Sequence, residues 1–155
     1  KSGDILGNFR LVEEKKLVED LFREINTNTG KGSYGLEEVI EFLKNNVVQI
    51  LLITDNTNLH RVEAECKRCK KIQEDIVERQ LVIPKKTEYK NNPCPDCKAM
   101  DMEVNEQDIV DYLQILAAKT GTQLEVISGS AEHGNMLSSL GKIGAILRYN
   151  PGHTK

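Results

Sequence analysis

The sequence contains no tryptophan, 5% aromatic residues and four prolines in 155 positions. So few aromatics leave little with which to stack nucleic-acid bases, and so little proline argues against an extended, disordered chain. Long apolar runs are missing as well. The longest, Val47-Val48-Gln49-Ile50-Leu51-Leu52-Ile53, falls far short of the roughly 20 residues that span a bilayer. No charged-then-apolar leader opens the chain, so a cytoplasmic protein without membrane contact is expected. Positive charge is not in excess: 21 basic against 24 acidic residues give −3. That balance excludes a surface built throughout for phosphate, and any RNA contact has to be local. The first residue is Lys1, not Met, which predicts a piece of a longer polypeptide with function divided between its parts.

What remains is ordinary globular material, 39% hydrophobic and 29% charged, enough for one domain or one domain with a small insert. All four cysteines fall in two pairs, Cys66-Lys67-Arg68-Cys69 and Cys94-Pro95-Asp96-Cys97, in the pattern C-x2-C-x24-C-x2-C. Such turns aim two sulfurs each at one centre, and two of them supply the four thiolates of a structural zinc. One Zn2+ per chain, held by Cys66, Cys69, Cys94 and Cys97, is the reading preferred over disulfides, redox use or another metal, because a reducing compartment disfavours disulfides. Four thiolates leave no open position for water, so the metal is expected to be structural. From Cys66 to Lys98 nine basic residues stand against five acidic ones. They either stabilise the thiolates or form a phosphate-contacting patch. Ile76 to Ile83 reads as a strand stopped by Pro84, so residues 66–98 are expected to form an inserted zinc ribbon. Residues 1–65 and 99–155 are then the core domain.

Around the insert, Leu17, Val18, Leu21, Phe22 and Ile25 form one apolar helical stripe. Leu36, Val39, Ile40 and Leu43 form a second, and Ile109, Val110, Tyr112, Leu113, Leu116 and Ala117 a third, capped by Asn105. Strands are predicted from Val47 to Ile53, Leu59 to Glu65, Gln123 to Ser128 and Ile143 to Tyr149, with a short helix over Ala131 to Leu140. Alternating helices and strands predict an α/β fold, a three-layer α/β/α sandwich.

Two motifs attract attention without support. Gly30-Lys31-Gly32-Ser33-Tyr34-Gly35 spells G-x-G-x-x-G, but a helix precedes it where dinucleotide binding needs a strand, so a glycine-rich helix-to-helix connection is expected. Ser128, Glu132 and His133 suggest a hydrolase triad, yet neighbours on a helix diverge and no nucleophile elbow is present. No catalysis by this chain is expected.

The stretch Gly141-Lys142-Ile143-Gly144-Ala145-Ile146-Leu147-Arg148-Tyr149, with Glu13-Glu14-Lys15-Lys16-Leu17, Asn28-Thr29-Gly30-Lys31 and Thr122-Gln123-Leu124-Glu125-Val126, resembles the C-terminal domain of the archaeal and eukaryotic class 1 peptide-chain release factors, over about Phe9 to Tyr149. The four cysteines look like the archaeal branch. The resemblance implies a fold shared with kink-turn-binding ribosomal proteins and a role in stop-codon-dependent termination on the ribosome. It implies that the family's G-G-Q and N-I-K-S motifs lie in other domains; Gly121-Thr122-Gln123 is no substitute. It further implies two partners, a translational GTPase similar to the alpha-type elongation factor and the iron–sulfur ABC-type recycling ATPase. Carried onto this chain, the GTPase contact falls on Phe22, Tyr34, Gly35, Ile146, Leu147, Arg148 and Tyr149. Ile146 and Leu147 have a competing reading as core. Two other functions remain open: an RNA-binding module of the kink-turn type, and the equivalent domain of the related no-go-decay factor.

Overall fold

The computed structural model describes residues 2–27 and 29–151, with side chains from residue 11 onward. Asn28, part of one motif above, lies outside the described residues. The chain divides into two compact units, Lys1–Thr57 with Leu113–Lys155, and Asn58–Tyr112.

The first unit opens with a long helix, α1 (Ser2–Asn26), followed by a three-residue strand β1 (Gly32–Tyr34), α2 (Leu36–Lys44) and β2 (Val48–Thr54). After the second unit come the rest of α4 (Ile109–Thr120), β6 (Gln123–Ile127), α5 (Glu132–Ser138) and β7 (Ile143–Leu147). The four strands lie in the order β1-β7-β2-β6, with β2 and β6 parallel and the other pairs antiparallel. Side chains alternate across a strand, and both faces are covered. On one, Leu52 and Ile127 pack with Val18 and Leu21 of α1 and Leu137 of α5. On the other, Leu51, Ile53, Ile143, Ala145 and Leu147 are buried, as are Val39, Ile40 and Leu43 of α2. The result is the expected three-layer α/β/α arrangement. Its central strand is the apolar run Val47 to Ile53, as a strand covered twice should be. The glycine-rich segment holds β1, where the sequence predicted only a connection between helices. Gly35, at φ +92, turns the chain from that strand into α2, a conformation that any Cβ would strain.

The second unit is a three-stranded antiparallel sheet, β4-β3-β5, of β3 (Leu59–Cys66), β4 (Ile72–Glu78) and β5 (Met102–Asp108), with α3 (Val82–Asn91) against one face. It is wider than the expected 66–98, because β3 pairs with β4 from Leu59 to Glu65 and with β5 from His60 to Cys66. The strand predicted through Ile83 ends at Glu78. A 3-10 turn at Arg79–Leu81 leads into α3, and Pro84 sits in that helix's first turn, where its missing N–H breaks no helical bond. Asn105 lies within β5 and caps nothing; the N-terminal amide of Val110 in α4 is met by Asp108 Oδ2 at 3.0 Å.

Candidate metal centre and docking strand

The two cysteine pairs fold as near copies of one another. In the first, Lys70 N–H donates to the Cys66 carbonyl at 2.9 Å and Cys66 N–H to the Lys71 carbonyl at 2.9 Å. In the second, Lys98 N–H donates to the Cys94 carbonyl at 2.9 Å and Cys94 N–H to the Ala99 carbonyl at 2.8 Å. Each turn closes through a lysine in the left-handed region, Lys70 at φ +66 and Lys98 at φ +64. The leading cysteines, Cys66 and Cys94, are buried, while Cys69 and Cys97 are exposed, and all four are free of disulfides.

This geometry brings all four sulfurs within 4.8 Å of one another, with Cys66 to Cys97 and Cys69 to Cys94 each at 3.4 Å. A tetrahedron of thiolates around a small divalent ion has edges of about 3.8 Å, so the cage fits such an ion. The electrostatics agree. Backbone N–H groups, first that of Cys69 and then that of Arg68, lower the Cys66 thiol to about 6 against opposing burial. Cys94 is likewise lowered, by the N–H of Cys97 and, secondarily, that of Asp96, again against burial. Cys69 moves the other way. The Lys71 N–H on its sulfur works to lower it, but the Cys94 sulfur, burial and the other two sulfurs push it up to about 12. Four thiols so close cannot all ionise unaided, and a divalent cation removes that conflict.

The residues implied by the family resemblance lie around β1 and β7. Leu147 is 2% exposed and belongs to the core. Ile146 and Phe22 are partly buried against the Val18–Leu21–Leu52 cluster. Tyr34, on edge strand β1, is 41% exposed and Tyr149 52% exposed. β7 stops at Leu147, so Arg148 and Tyr149 follow the strand without continuing its alternation. Arg148 turns back along the sheet end: its Nε donates to the Val48 carbonyl at 3.0 Å and its Nη2 to the Thr120 carbonyl at 2.7 Å. It thus ties the end of α4 to β2 while its outer surface stays exposed.

One cluster escaped the sequence reading. Ser128 and His133 do meet a carboxylate, but it is Glu14 of α1; Glu132 is exposed. Glu14 Oε1 lies 2.9 Å from His133 Nε2 and accepts the Ser128 N–H at 3.0 Å, while Oε2 is 3.4 Å from Ser128 Oγ. The hydroxyl therefore faces a carboxylate, not the imidazole, and gains no base. Burial acts to raise the Glu14 carboxyl, but the Ser128 N–H, His133 and the Ser128 hydroxyl together hold it below its ordinary value. The cluster pins α1 to the β6–α5 turn. No local signal could reveal it, because its members are 114 and 119 residues apart.

The chain is thus a three-layer α/β/α domain interrupted by a four-cysteine minidomain. The model of the family described as eRF1 domain 3 matches residues 11–151, and the chain belongs to that family. It is 31% identical over 151 residues to peptide chain release factor subunit 1 of Methanocaldococcus jannaschii and 33% identical over 151 residues to that of Thermococcus onnurineus, covering 96% of this chain and 36% of each relative. The chain thus spans about a third of the length of the curated relatives it matches. The solved C-terminal domain of the Methanosarcina mazei peptide chain release factor superposes with a TM-score of 0.83 at 30% identity, over 98% of this chain and 91% of that one. Two further structures share the fold at lower identity. Saccharomyces cerevisiae Dom34, described as interacting with Hbs1, matches at TM-score 0.54 and 18% identity over 92% of this chain and 28% of its own. Ribosome-bound archaeal Pelota, in a structure with ABCE1, matches at 0.52 and 21% over 94% and 29%. Among the described residues no helix is long and apolar enough to cross a membrane.

Proposed function

We propose that this chain is the partner-docking domain of a cytoplasmic translation termination factor, acting in stop-codon-dependent release by binding and not by catalysis. The observation that carries the reading is the likeness to the Methanosarcina mazei release factor domain, which extends over nearly all of both chains. The family model and the curated relatives at 31% and 33% identity are those of release factors, which favours termination over no-go decay. A translational GTPase and the ABC-type recycling ATPase are the partners. Support for them comes from the family resemblance and from fold neighbours described with Hbs1 and with ABCE1 on the ribosome. The exposed groups that meet the GTPase are Tyr34, Tyr149 and the outer surface of Arg148, beside the half-buried Gly35; Phe22 and Ile146 back them on one face of the sheet and Leu147 on the other.

In the minidomain the ion is Zn2+, held by Cys66, Cys69, Cys94 and Cys97. The bound ion supplies folding energy and no reaction chemistry.

The test is a pull-down with the purified alpha-type elongation factor in its GTP form, and in parallel with the ATPase. Association at micromolar concentrations is expected. Tyr149→Ala should weaken it about tenfold or more, as loss of an aromatic anchor does, with the fold intact. No association with either protein, alongside binding to a kink-turn RNA in clear preference to a plain RNA duplex, would replace this reading with the RNA-binding one.

A further inference from the structure

The metal-bearing end of the second unit is polarised in charge. Lys67 and Arg68 lie between the first two cysteines, and Lys70 and Lys98 directly follow Cys69 and Cys97. All four are exposed, and none makes an ion pair among the described residues. The neighbouring Lys71 is committed to Asp96 at 3.5 Å. Each of the four stands next to a cysteine of one cage whose sulfurs lie within 4.8 Å of each other, so they surround a single point.

Behind this tip the sheet carries the opposite sign. By the register of the ladders, the face of β3, β4 and β5 turned away from α3 bears Glu63, Glu65, Glu74, Glu78 and Glu103. Its single cation is Arg61, bonded to Glu74 with Nε at 2.7 Å and to Glu63 at 3.3 Å. Phosphate is therefore attracted to the tip and repelled along this side.

Two of the cations also occupy costly positions. At φ +66 and +64, Lys70 and Lys98 hold backbone conformations that glycine adopts freely and lysine does not. Both equivalent turns bear the same side chain, and the packing does not require it, since both are exposed. Neutralising the thiolates is an alternative use for this charge, but the leading sulfurs already receive backbone N–H groups and the lysines project outward. Aromatics are missing at the tip, so base stacking is not on offer.

We infer that the tip formed by Lys67, Arg68, Lys70 and Lys98 binds the phosphate backbone of structured RNA, end-on and without sequence preference. The inference is independent of GTPase docking, since all four residues lie in the second unit.

The test uses the full chain loaded with Zn2+ and a short fluorescent RNA duplex of arbitrary sequence, with affinity measured across a series of KCl concentrations. The variant combines Lys67→Gln and Arg68→Gln with Lys70→Gly and Lys98→Gly. Glycine suits both left-handed turns, so the variant is expected to fold, and its zinc content verifies this. The expected result is binding weakened about tenfold or more at low salt, with the slope of log affinity on log salt reduced by roughly one for each phosphate no longer neutralised. The GTPase pull-down should be unaffected. The inference fails if the unaltered chain does not bind the duplex at low salt, or if its binding is insensitive to salt. It fails equally if the zinc-loaded variant binds as well as the original, including the case in which the variant only loses zinc affinity and recovers fully at saturating metal.

Discussion

Glu14 sits on α1 with both carboxylate oxygens engaged by residues that follow it by more than a hundred positions. At 3% exposure it would be costly unless paired, because a buried charge without partners loses its hydration for nothing. Its carboxyl is held below the ordinary 4.5, which fixes the sign of its pH dependence. A lowered carboxyl contributes stability that is present above the unfolded value and lost as the pH falls through the folded one. Glu14→Gln should therefore cost about 1–3 kcal/mol near neutral pH. The difference from the unaltered chain should shrink as the pH falls below 4.5. Denaturant titrations at the two ends of that range check it. Arg148 teaches a related lesson. Named as a partner residue by resemblance, it also holds two main-chain carbonyls, so replacing it perturbs the sheet end as well as any interface. That is why Tyr149, which does not carry this double duty, is the better probe of docking.

At the level of elements, α5 packs so closely on the turn before it that a Cβ at Gly134 would lie 2.0 Å from the Ser128 carbonyl oxygen. Backbone cannot swing aside as a side chain can. Gly134→Ala should destabilise the first unit by about 3 kcal/mol, at the upper end of overpacking effects, visible as a lowered Tm. The same elements show what a sequence can and cannot disclose. β2, α2 and the body of α4 were legible, since their apolar spacing is local and strong. β5 was not: Met-Glu-Val-Asn-Glu-Gln-Asp is polar and poor in strand formers, and it is strand because β3 offers it a complete ladder. Likewise Pro84 ends a strand or begins a helix with equal propriety, and only the chain around it decides. β1, three residues long, has no pattern to detect. The cysteine cage was legible because two short local turns carry its ligands, whereas the Glu14 cluster joins α1 to a turn more than a hundred residues further on.

For the whole molecule, the two units should respond differently to metal removal. The second holds few large buried side chains; Val62, Val82 and Ile109 are among the main ones. A core of that size does not sustain so short a segment alone. Under a strong chelator, amides of Asn58–Tyr112 should lose protection from hydrogen exchange, while those of β2, β6 and β7 keep theirs. Protection that survives in β3 with the metal gone would refute the structural role given to the cage.

The strands β2 and β6 lie side by side and parallel, with Thr54 opposite Ile127, yet the entire second unit is threaded between them. Within that unit His60 and Asp108 are neighbours across a ladder. Once the cysteine cage has closed and that ladder has formed, the connection between β2 and β6 is shortened to roughly a third of its contour, and each halving of such a loop spares about 0.6 kcal/mol of closure entropy. An ion held in the cage would thus favour closure of a sheet to which it is not bound, by about 1 kcal/mol.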